Sequence, residues 1–177
     1  ELGVYASLFY YHGIQLVVFC VIAFFVNTLV KNKYMGMGIF GLIVLLSLNS
    51  GFFGLEHPLT SLGFLPRPGY NNMNGYHGVS SLFDHLAVYW LAIGLLLVIL
   101  SFKIWNRGVV ATFTMKVKQL KYDWSKLQKL VFTFFIFVFI GAGSLVIYNT
   151  NIVNDYETVS DQLDYRENYE RKFKQFE

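Results

Sequence analysis

Charged residues, cysteine and proline are all scarce in this sequence. Asp, Glu, Lys and Arg account for 14% of its 177 residues and hydrophobic residues for 55%, whereas an ordinary soluble domain carries about 25% charged residues. This composition excludes a disordered chain and disfavours a soluble fold. The one cysteine, Cys20, excludes an intrachain disulfide and a thiolate metal cluster built from this segment alone. The three prolines all lie between residues 58 and 68, where they indicate turns rather than a long helix or strand.

Four stretches contain no Asp, Glu, Lys or Arg: residues 2–30, 34–55, 85–102 and 130–154. About 20 apolar residues, rising 1.5 Å each, cross the roughly 30 Å hydrocarbon core of a bilayer. We therefore predict an all-α polytopic membrane protein with about four transmembrane helices. Three spans lie within residues 1–105, a basic segment covers 106–129, the fourth span covers 130–149, and a linker helix covers 150–177. Glu1 directly precedes an apolar run, so we expect the chain to be part of a longer protein.

Basic residues are concentrated in two of the predicted loops. Lys31 and Lys33 follow the first span. Seven more lie between the third and fourth spans: Lys103, Arg107, Lys116, Lys118, Lys121, Lys126 and Lys129. Because Lys and Arg in short loops favour the cytoplasmic side, we expect both loops to be cytoplasmic. The N-terminus, the 56–84 loop and the C-terminal tail are then extracytoplasmic.

The segment 106–129 combines an apolar stripe with a basic face. The stripe recurs at spacings of three and four and consists of Val110, Phe113, Val117, Leu120, Trp124 and Leu127. Such a helix can lie in the plane of the headgroups, with Lys116, Lys118, Lys121 and Lys126 near anionic lipid. The alternative is a cytosolic helix packed on a neighbouring subunit. The segment matches no nucleic-acid recognition fold, so no nucleic-acid partner is expected.

A few polar residues interrupt the first two spans. They are His12, Gln15 and Asn27 in the first and Asn49 near the end of the second. Polar groups in hydrocarbon need internal partners, so we expect these residues to line a transport path or to pack between helices. A haem held between His12 and His85 is a further alternative, because imidazoles near the outer ends of spans can be axial ligands.

The 56–84 loop is rich in proline, glycine and asparagine, which predict turns and broken helix. Long ordered loops are commonly functional or re-entrant, and we expect a re-entrant loop here. His57, His77 and His85 lie in or beside it with Glu56 and Asp84, and imidazole and carboxylate are zinc ligands. These histidines are weak candidates, because no pair has a metal-ligand spacing on a single helix. The alternative is that these histidines lie at the membrane interface or cap the loop.

Several short motifs, taken in their order along the chain, resemble one known family. They are Asn32-Lys33-Tyr34-Met35-Gly36, Glu56-His57-Pro58-Leu59, Tyr70-Asn71-Asn72-Met73-Asn74-Gly75-Tyr76, Tyr89-Trp90 and Trp105-Asn106-Arg107-Gly108. In these motifs the chain resembles the membrane part of Bacteroidetes-type proteins in which an ABC exporter permease is fused to a C-terminal zinc aminopeptidase. The loop motifs are the most specific part of the resemblance, through His57, Pro58, Asn71, Met73, Asn74, Gly75 and Tyr76.

The resemblance implies a segment of an ABC-exporter-like permease that forms part of a translocation path and tethers an extracytoplasmic aminopeptidase domain. It implies a bacterial inner (cytoplasmic) membrane, a separate ATPase subunit that hydrolyses ATP, and a homodimer or heterodimer of permease halves. No cofactor is expected in this segment, and zinc would belong to the following peptidase domain. The sequence has no nucleophile elbow, phosphate-binding loop or dinucleotide fingerprint, so no catalytic residue is predicted.

Two other functions fit the same residues. One is a membrane anchor or interaction subunit without transport, which needs only the apolar spans. The other is a membrane enzyme whose metal site is assembled from the histidines and carboxylates of the loop.

Overall fold

The computed structural model describes residues 2–53, 57–66, 73, 80–105, 113–121, 124–154 and 158–174, and every regular element in these ranges is a helix. In chain order the elements are α1 (Leu2–Leu29), α2 (Lys33–Leu48), a 3₁₀ helix (Ser50–Phe53), α3 (Ser80–Ile104), α4 (Phe113–Gln119), α5 (Lys126–Ile147), a π-helical turn (Tyr148–Val153) that continues α5, and α6 (Val159–Phe173). The predicted all-α fold class is therefore confirmed.

Three of these helices are long and apolar enough to cross a membrane. They are Tyr5–Leu29 in α1, Ser81–Ile104 in α3, and Lys126–Val153, which α5 and its π-helical turn form together. They lie at the first, third and fourth predicted spans and indicate a membrane-embedded protein. At the second predicted span, α2 has only 16 residues and rises about 24 Å, less than the roughly 30 Å of a hydrocarbon core.

Large apolar side chains cover the outer surface of the long helices. Phe9 of α1, Phe102 of α3 and Phe137 of α5 are 79%, 67% and 70% exposed. A soluble monomer rarely leaves contiguous apolar surface of this kind open to water. Helices that are apolar on all sides are instead suited to contact with lipid.

α1 and α3 run parallel to each other. Near their beginnings, the Tyr10 hydroxyl donates a hydrogen bond to Asp84 Oδ1 at 2.9 Å. Near their ends, the rings of Phe24 and Trp105 lie 5.3 Å apart. Because both helices point the same way, the chain between them travels back along the length of α1 before α3 begins.

α5 runs antiparallel to α3. The Tyr89 ring near the beginning of α3 stacks on Phe139 in the second half of α5, with 4.9 Å between centroids. At the other end of α3, Lys103 Nζ lies 5.7 Å from the ring centroid of Trp124, just before α5. We call the end where α1 and α3 begin and α5 finishes the closed end, and the opposite end the lysine end.

Close approach between α1 and α2 depends on one of the glycines near the beginning of α2. A Cβ at Gly36 would clash with the Asn27 side chain of α1, whereas a Cβ at Gly38 or Gly41 would meet nothing. Small residues permit such backbone proximity in membrane helices. Asn32 caps this helix by accepting a hydrogen bond from the Tyr34 amide.

The apolar core lies between α1, α3 and α5 and is dominated by α3. Phe83 and Leu86 are completely buried there, and Val146 of α5 is too. The Phe83 ring makes edge-to-face contacts with Tyr10 and Tyr11, a favoured arrangement for aromatic pairs. The buried cluster consists of Val18, Ile22, Val26, Leu65, Phe83, Leu86, Ala87, Trp90 and Val146.

The basic segment differs from the single amphipathic helix that its stripe predicts. α4 ends at Gln119, and α5 begins anew after Ser125. The physical reason is a capping box. The backbone amide of Gln128 donates to Ser125 Oγ, and the backbone amide of Ser125 donates to Gln128 Oε1, both at 3.2 Å. This reciprocal pair fixes a helix start, so Lys126 belongs to α5 rather than to a helix in the basic segment.

α6 is a separate, solvated helix in the tail. Thr158 caps it through the Asp161 amide, and Asp161 in turn accepts a hydrogen bond from the Thr158 amide. The Thr158 hydroxyl also donates to the Asp161 carboxylate at 2.6 Å. This bond first, and then the bond from the Thr158 amide, lower the pKa of the Asp161 carboxyl. Every described side chain from residue 161 to 174 is exposed, including the paired rings of Tyr169 and Phe173.

Candidate functional site

Residues 57–66 form a short irregular segment that packs among the helices. We call it the 57–66 segment. Ser61, Gly63 and Leu65 are buried. Gly63 has a φ of +68°, and a Cβ there would lie 3.3 Å from the ring of Phe19 in α1. Only glycine adopts this backbone conformation without strain. The segment therefore lies directly on the side of α1.

His57 organises the beginning of the 57–66 segment. Its Nδ1 accepts a hydrogen bond from the Leu59 amide at 3.2 Å, and its backbone carbonyl accepts from the amides of Thr60 and Ser61. The Nε2 atom lies 3.3 Å from Thr150 Oγ1 in the π-helical turn. In the neutral ring, a Nδ1 acceptor requires that Nε2 carries the proton. His57 then donates to Thr150, whose own hydroxyl donates to the Val146 carbonyl.

The rest of the segment is held by side chains of α1, α2 and the 3₁₀ helix. The Gln15 amide donates to the Gly63 carbonyl at 3.3 Å, and the Ser47 hydroxyl donates to the Leu62 carbonyl. The hydroxyls of Ser50 and Ser61 lie 3.1 Å apart. We call the six side chains that hold the segment the polar cluster: Gln15, Ser47, Ser50, His57, Ser61 and Thr150.

Of the four polar residues predicted to line a path or pack between helices, Gln15 joins the polar cluster. The other three are exposed and bond to their own helices. His12 Nδ1 lies 3.2 Å from the Leu8 carbonyl, Asn27 donates to Ala23, and Asn49 donates to Leu45 at the end of α2. Asn27 also packs against Gly36 of α2. The four residues are thus distributed along the molecule, and only Gln15 bonds to a distant part of the chain.

The weak metal candidates do not converge on a cation site in the part of the chain that the structure describes. There, no group of three or more His, Cys, Asp or Glu side chains is arranged to hold a metal. His85 Nδ1 lies 2.6 Å from the Ser81 carbonyl of its own helix, and Asp84 instead joins α3 to α1 through Tyr10. His77 and Glu56 lie outside the described residues.

The loop motif of the family resemblance is described only at His57, Pro58 and Met73. Pro58 follows His57 in the turn and is partly buried, and Met73 is 92% exposed. The four others lie outside the described residues: Asn71, Asn74, Gly75 and Tyr76.

The lysines predicted to face lipid differ in their surroundings. Lys116 Nζ donates to the carbonyls of Thr28 and Leu29 at 2.6 and 3.4 Å. A cation at the last carbonyls of a helix donates to acceptors that have no partner within the helix. It also interacts favourably with the negative end of the helix dipole. Lys116 therefore caps α1, whereas Lys118, Lys121 and Lys126 are exposed.

The arrangement is suited to holding a non-helical segment between apolar helices. Polar groups within a membrane must be satisfied by protein or by water in a cavity. The polar cluster consists of four hydroxyls, one side-chain amide and one imidazole, which can orient a backbone or a polar solute by hydrogen bonds without a carboxylate or an ammonium group in hydrocarbon.

Sequence reasoning missed four members of the polar cluster: Ser47, Ser50, Ser61 and Thr150. Their signal is weak, since a hydroxyl in an apolar run commonly bonds to its own helix. Thr150 does so through the Val146 carbonyl, while it also meets His57, which is 93 positions away in sequence. Sequence spacing carries no information about a pair separated so widely.

No protein-family model, curated protein or solved structure matches the chain.

Proposed function

We propose that this chain is a multi-pass segment of an ABC-exporter-like permease in a bacterial inner membrane. In this proposal it forms part of a translocation path and tethers an extracytoplasmic aminopeptidase domain that follows residue 177. ATP hydrolysis belongs to a separate ATPase subunit, zinc to the peptidase domain, and the permease works as a dimer of similar halves. The 57–66 segment, held between apolar helices by the polar cluster, is the observation that carries the proposal.

The parallel direction of α1 and α3 supports four crossings rather than three. If both helices cross the membrane in the same direction, the chain between them must cross in the opposite direction. α2 and the 3₁₀ helix have 16 and 4 residues. Together they rise roughly 32 Å at 1.5 and 2.0 Å per residue, which is enough for the hydrocarbon core.

The position of the 57–66 segment supports a re-entrant loop. Gln15 and Phe19 contact Gly63, and they lie five and nine positions beyond Tyr10, which marks the closed end. At 1.5 Å per residue the segment reaches roughly 8 to 14 Å below that level. Backbone that is not helical is tolerated at such depth where protein or a water-filled cavity surrounds it.

A membrane anchor without transport is the second candidate, and one observation favours it. The described members of the polar cluster already bond to one another or to neighbouring backbone. A satisfied network can serve packing alone. The two candidates differ in whether the cluster opens to water.

Cysteine accessibility separates the two. We would place a cysteine at Gln15, or at the 65% exposed Leu16 as a matched control, in a Cys20→Ala background. Both variants are treated with a charged, membrane-impermeant methanethiosulfonate, in membranes of the cells that make the protein. A permease gives a reactive Gln15→Cys whose rate changes several-fold when ATP is added, while Leu16→Cys does not react. A Gln15→Cys that stays unreactive with and without ATP contradicts the permease and favours the anchor.

A further inference from the structure

An apolar groove opens at the lysine end between α1, α2, α3 and α4. Its volume is about 760 Å³, within the roughly 300 to 1,000 Å³ of known ligand sites. Lys31 is the only charged side chain among the described residues that line it. The groove is formed mainly by residues such as Ile22, Val26, Met35, Ile39, Leu62 and Phe113.

The groove has the depth of one membrane leaflet. Along α1 it extends from Lys31 to Ile22, nine residues or roughly 14 Å, about half of the roughly 30 Å hydrocarbon core. Leu62 of the 57–66 segment lines its inner part. A helix that crosses the whole membrane would need a longer groove, whereas the acyl chain of one lipid ends near the middle of the bilayer.

The mouth of the groove is cationic. Lys31 lies at this end, and the Lys116 ammonium reaches the carbonyls of Thr28 and Leu29 on the same turn of α1. The sequence has no Asp or Glu from residue 2 to 55 or from residue 85 to 122. Each lysine near a membrane surface attracts anionic lipid by about 1 kcal/mol.

We propose that the groove binds one acyl chain of an anionic phospholipid, with the phosphate of its headgroup beside Lys31. Apolar walls accept the chain, and the positive mouth selects the headgroup. This binding requires the chain to be embedded in a membrane, and it does not depend on transport by the polar cluster. Its failure is therefore distinguishable from failure of the proposed permease function.

Photo-cross-linking in vesicles tests the proposal. The full chain is reconstituted in phosphatidylcholine containing a small fraction of phosphatidylglycerol with a diazirine in one acyl chain. A parallel sample carries the same diazirine chain on phosphatidylcholine. After irradiation, mass spectrometry measures the label on the peptides that contain Met35, Ile39 and Phe113, relative to the exposed Phe137 of α5.

Two variants have matched controls. Lys31→Gln removes the charge at the mouth, and Lys33→Gln removes a charge two positions away, at the first residue of α2, where the ammonium lies over the Tyr34 ring. Ile39→Trp fills the groove, and Met37→Trp enlarges a side chain of α2 that is 64% exposed and does not line it. Circular dichroism and size-exclusion chromatography check the fold of each variant. Because Lys31 is an exposed loop residue, its variant keeps the test valid if Ile39→Trp fails to fold.

We expect groove peptides to be labelled by phosphatidylglycerol several-fold more than by phosphatidylcholine. Lys31→Gln should reduce this labelling about fivefold, the equivalent of the loss of one lysine, and Ile39→Trp should abolish it, with both controls close to wild type. Equal labelling by the two lipids, equal labelling of groove and Phe137 peptides, or cross-links between two copies of the chain in place of lipid would each overturn the proposal.

Discussion

When α5 is taken together with the π-helical turn that continues it, its beginning and its end differ in how many residues are buried. From residue 126 to 141 no described residue of α5 is buried, whereas Ala142, Gly143, Val146 and Thr150 are all buried within the next nine positions. The buried residues face α3 and the 57–66 segment at the closed end; Gly143, for example, lies against the Tyr89 ring. The part of α5 without buried residues includes its beginning at the lysine end.

Along α5, this difference separates a packed part near the closed end from a part that meets lipid. In a membrane, apolar burial between helices gains little, because lipid tails are as apolar as leucine. Close packing and hydrogen bonds supply the stability instead. The closed end has both, in the aromatic contacts of Phe83 and in the polar cluster. At the lysine end, Ser101 and Ile104 of α3 are also buried, but α5 has no buried residue there, and the groove and the exposed cations lie at this end. We expect the exposed positions of the lysine end to tolerate substitution.

The largest expected effect comes from a matched pair of phenylalanines. Phe83→Ala at the closed end removes a completely buried ring with two aromatic neighbours, and we expect a loss of about 3 kcal/mol in the free energy of unfolding. Phe137→Ala removes a ring of α5 that is 70% exposed and should cost less than about 0.5 kcal/mol. Unfolding by dodecyl sulfate in mixed micelles, followed by circular dichroism, measures both. Equal losses would contradict the distinction between tightly packed and lipid-facing positions.

Gly36 packs tightly against Asn27 at the lysine end. We therefore expect substitution at Gly36 to be as poorly tolerated as substitution at the closed end. Gly36→Ala places a methyl group against the Asn27 side chain, and overpacking of this kind costs about 1 to 3 kcal/mol. Gly38→Ala on the same helix meets nothing and should be neutral or stabilising by up to about 1 kcal/mol. The same unfolding assay applies. If Gly38→Ala is the more harmful of the two, the packing of α2 on α1 described above is wrong.

His57 tests the hydrogen bonds of the closed end. His57→Ala leaves the Leu59 amide without its acceptor and separates the 57–66 segment from Thr150, so we expect a loss of about 1 to 3 kcal/mol. His57→Asn can still accept from the Leu59 amide as an Asx turn, and should recover part of this loss. Proteolysis of the 57–66 segment in micelles gives a second measure, with cleavage fastest in the alanine variant. Identical behaviour of the two variants would place the whole effect in the bond to Thr150.

The smallest effect is expected at the lysine end. Lys116→Met removes the ammonium that caps the last carbonyls of α1 and should cost about 0.3 to 1 kcal/mol. Lys118→Met, at an exposed position of the same short helix, should leave stability unchanged. Amide hydrogen exchange of residues 26–30 offers a local readout, because only the first variant should speed exchange there. Faster exchange in both variants would mean that charge in general, rather than the cap, protects the end of α1.

The sequence was sufficient to locate the three long helices, because runs without charge are a direct signal of membrane spans. The charge-free run from residue 34 to 55 does not reveal the Asn49 cap, at which α2 ends and after which the 3₁₀ helix begins. The apolar stripe of the basic segment predicted a single helix, whereas the chain forms the end of α4 and the beginning of α5 there. The spacing of Ser125 and Gln128 is a capping signal that the sequence does contain. Tertiary contacts such as the hydrogen bond from Gln15 to Gly63 could not be predicted from the sequence. They depend on the path that the chain takes between α1 and α3.

If the chain between α1 and α3 crosses the membrane, the protein has four crossings. The most direct test places single cysteines at Lys33, Met73, Thr114 and Asp164 in a Cys20→Ala background and labels intact cells with an impermeant maleimide. We predict that Met73→Cys and Asp164→Cys are labelled from outside, while Lys33→Cys and Thr114→Cys react only after the membrane is opened. Labelling of Lys33→Cys and Met73→Cys from the same side would contradict it, since α2 would then not cross.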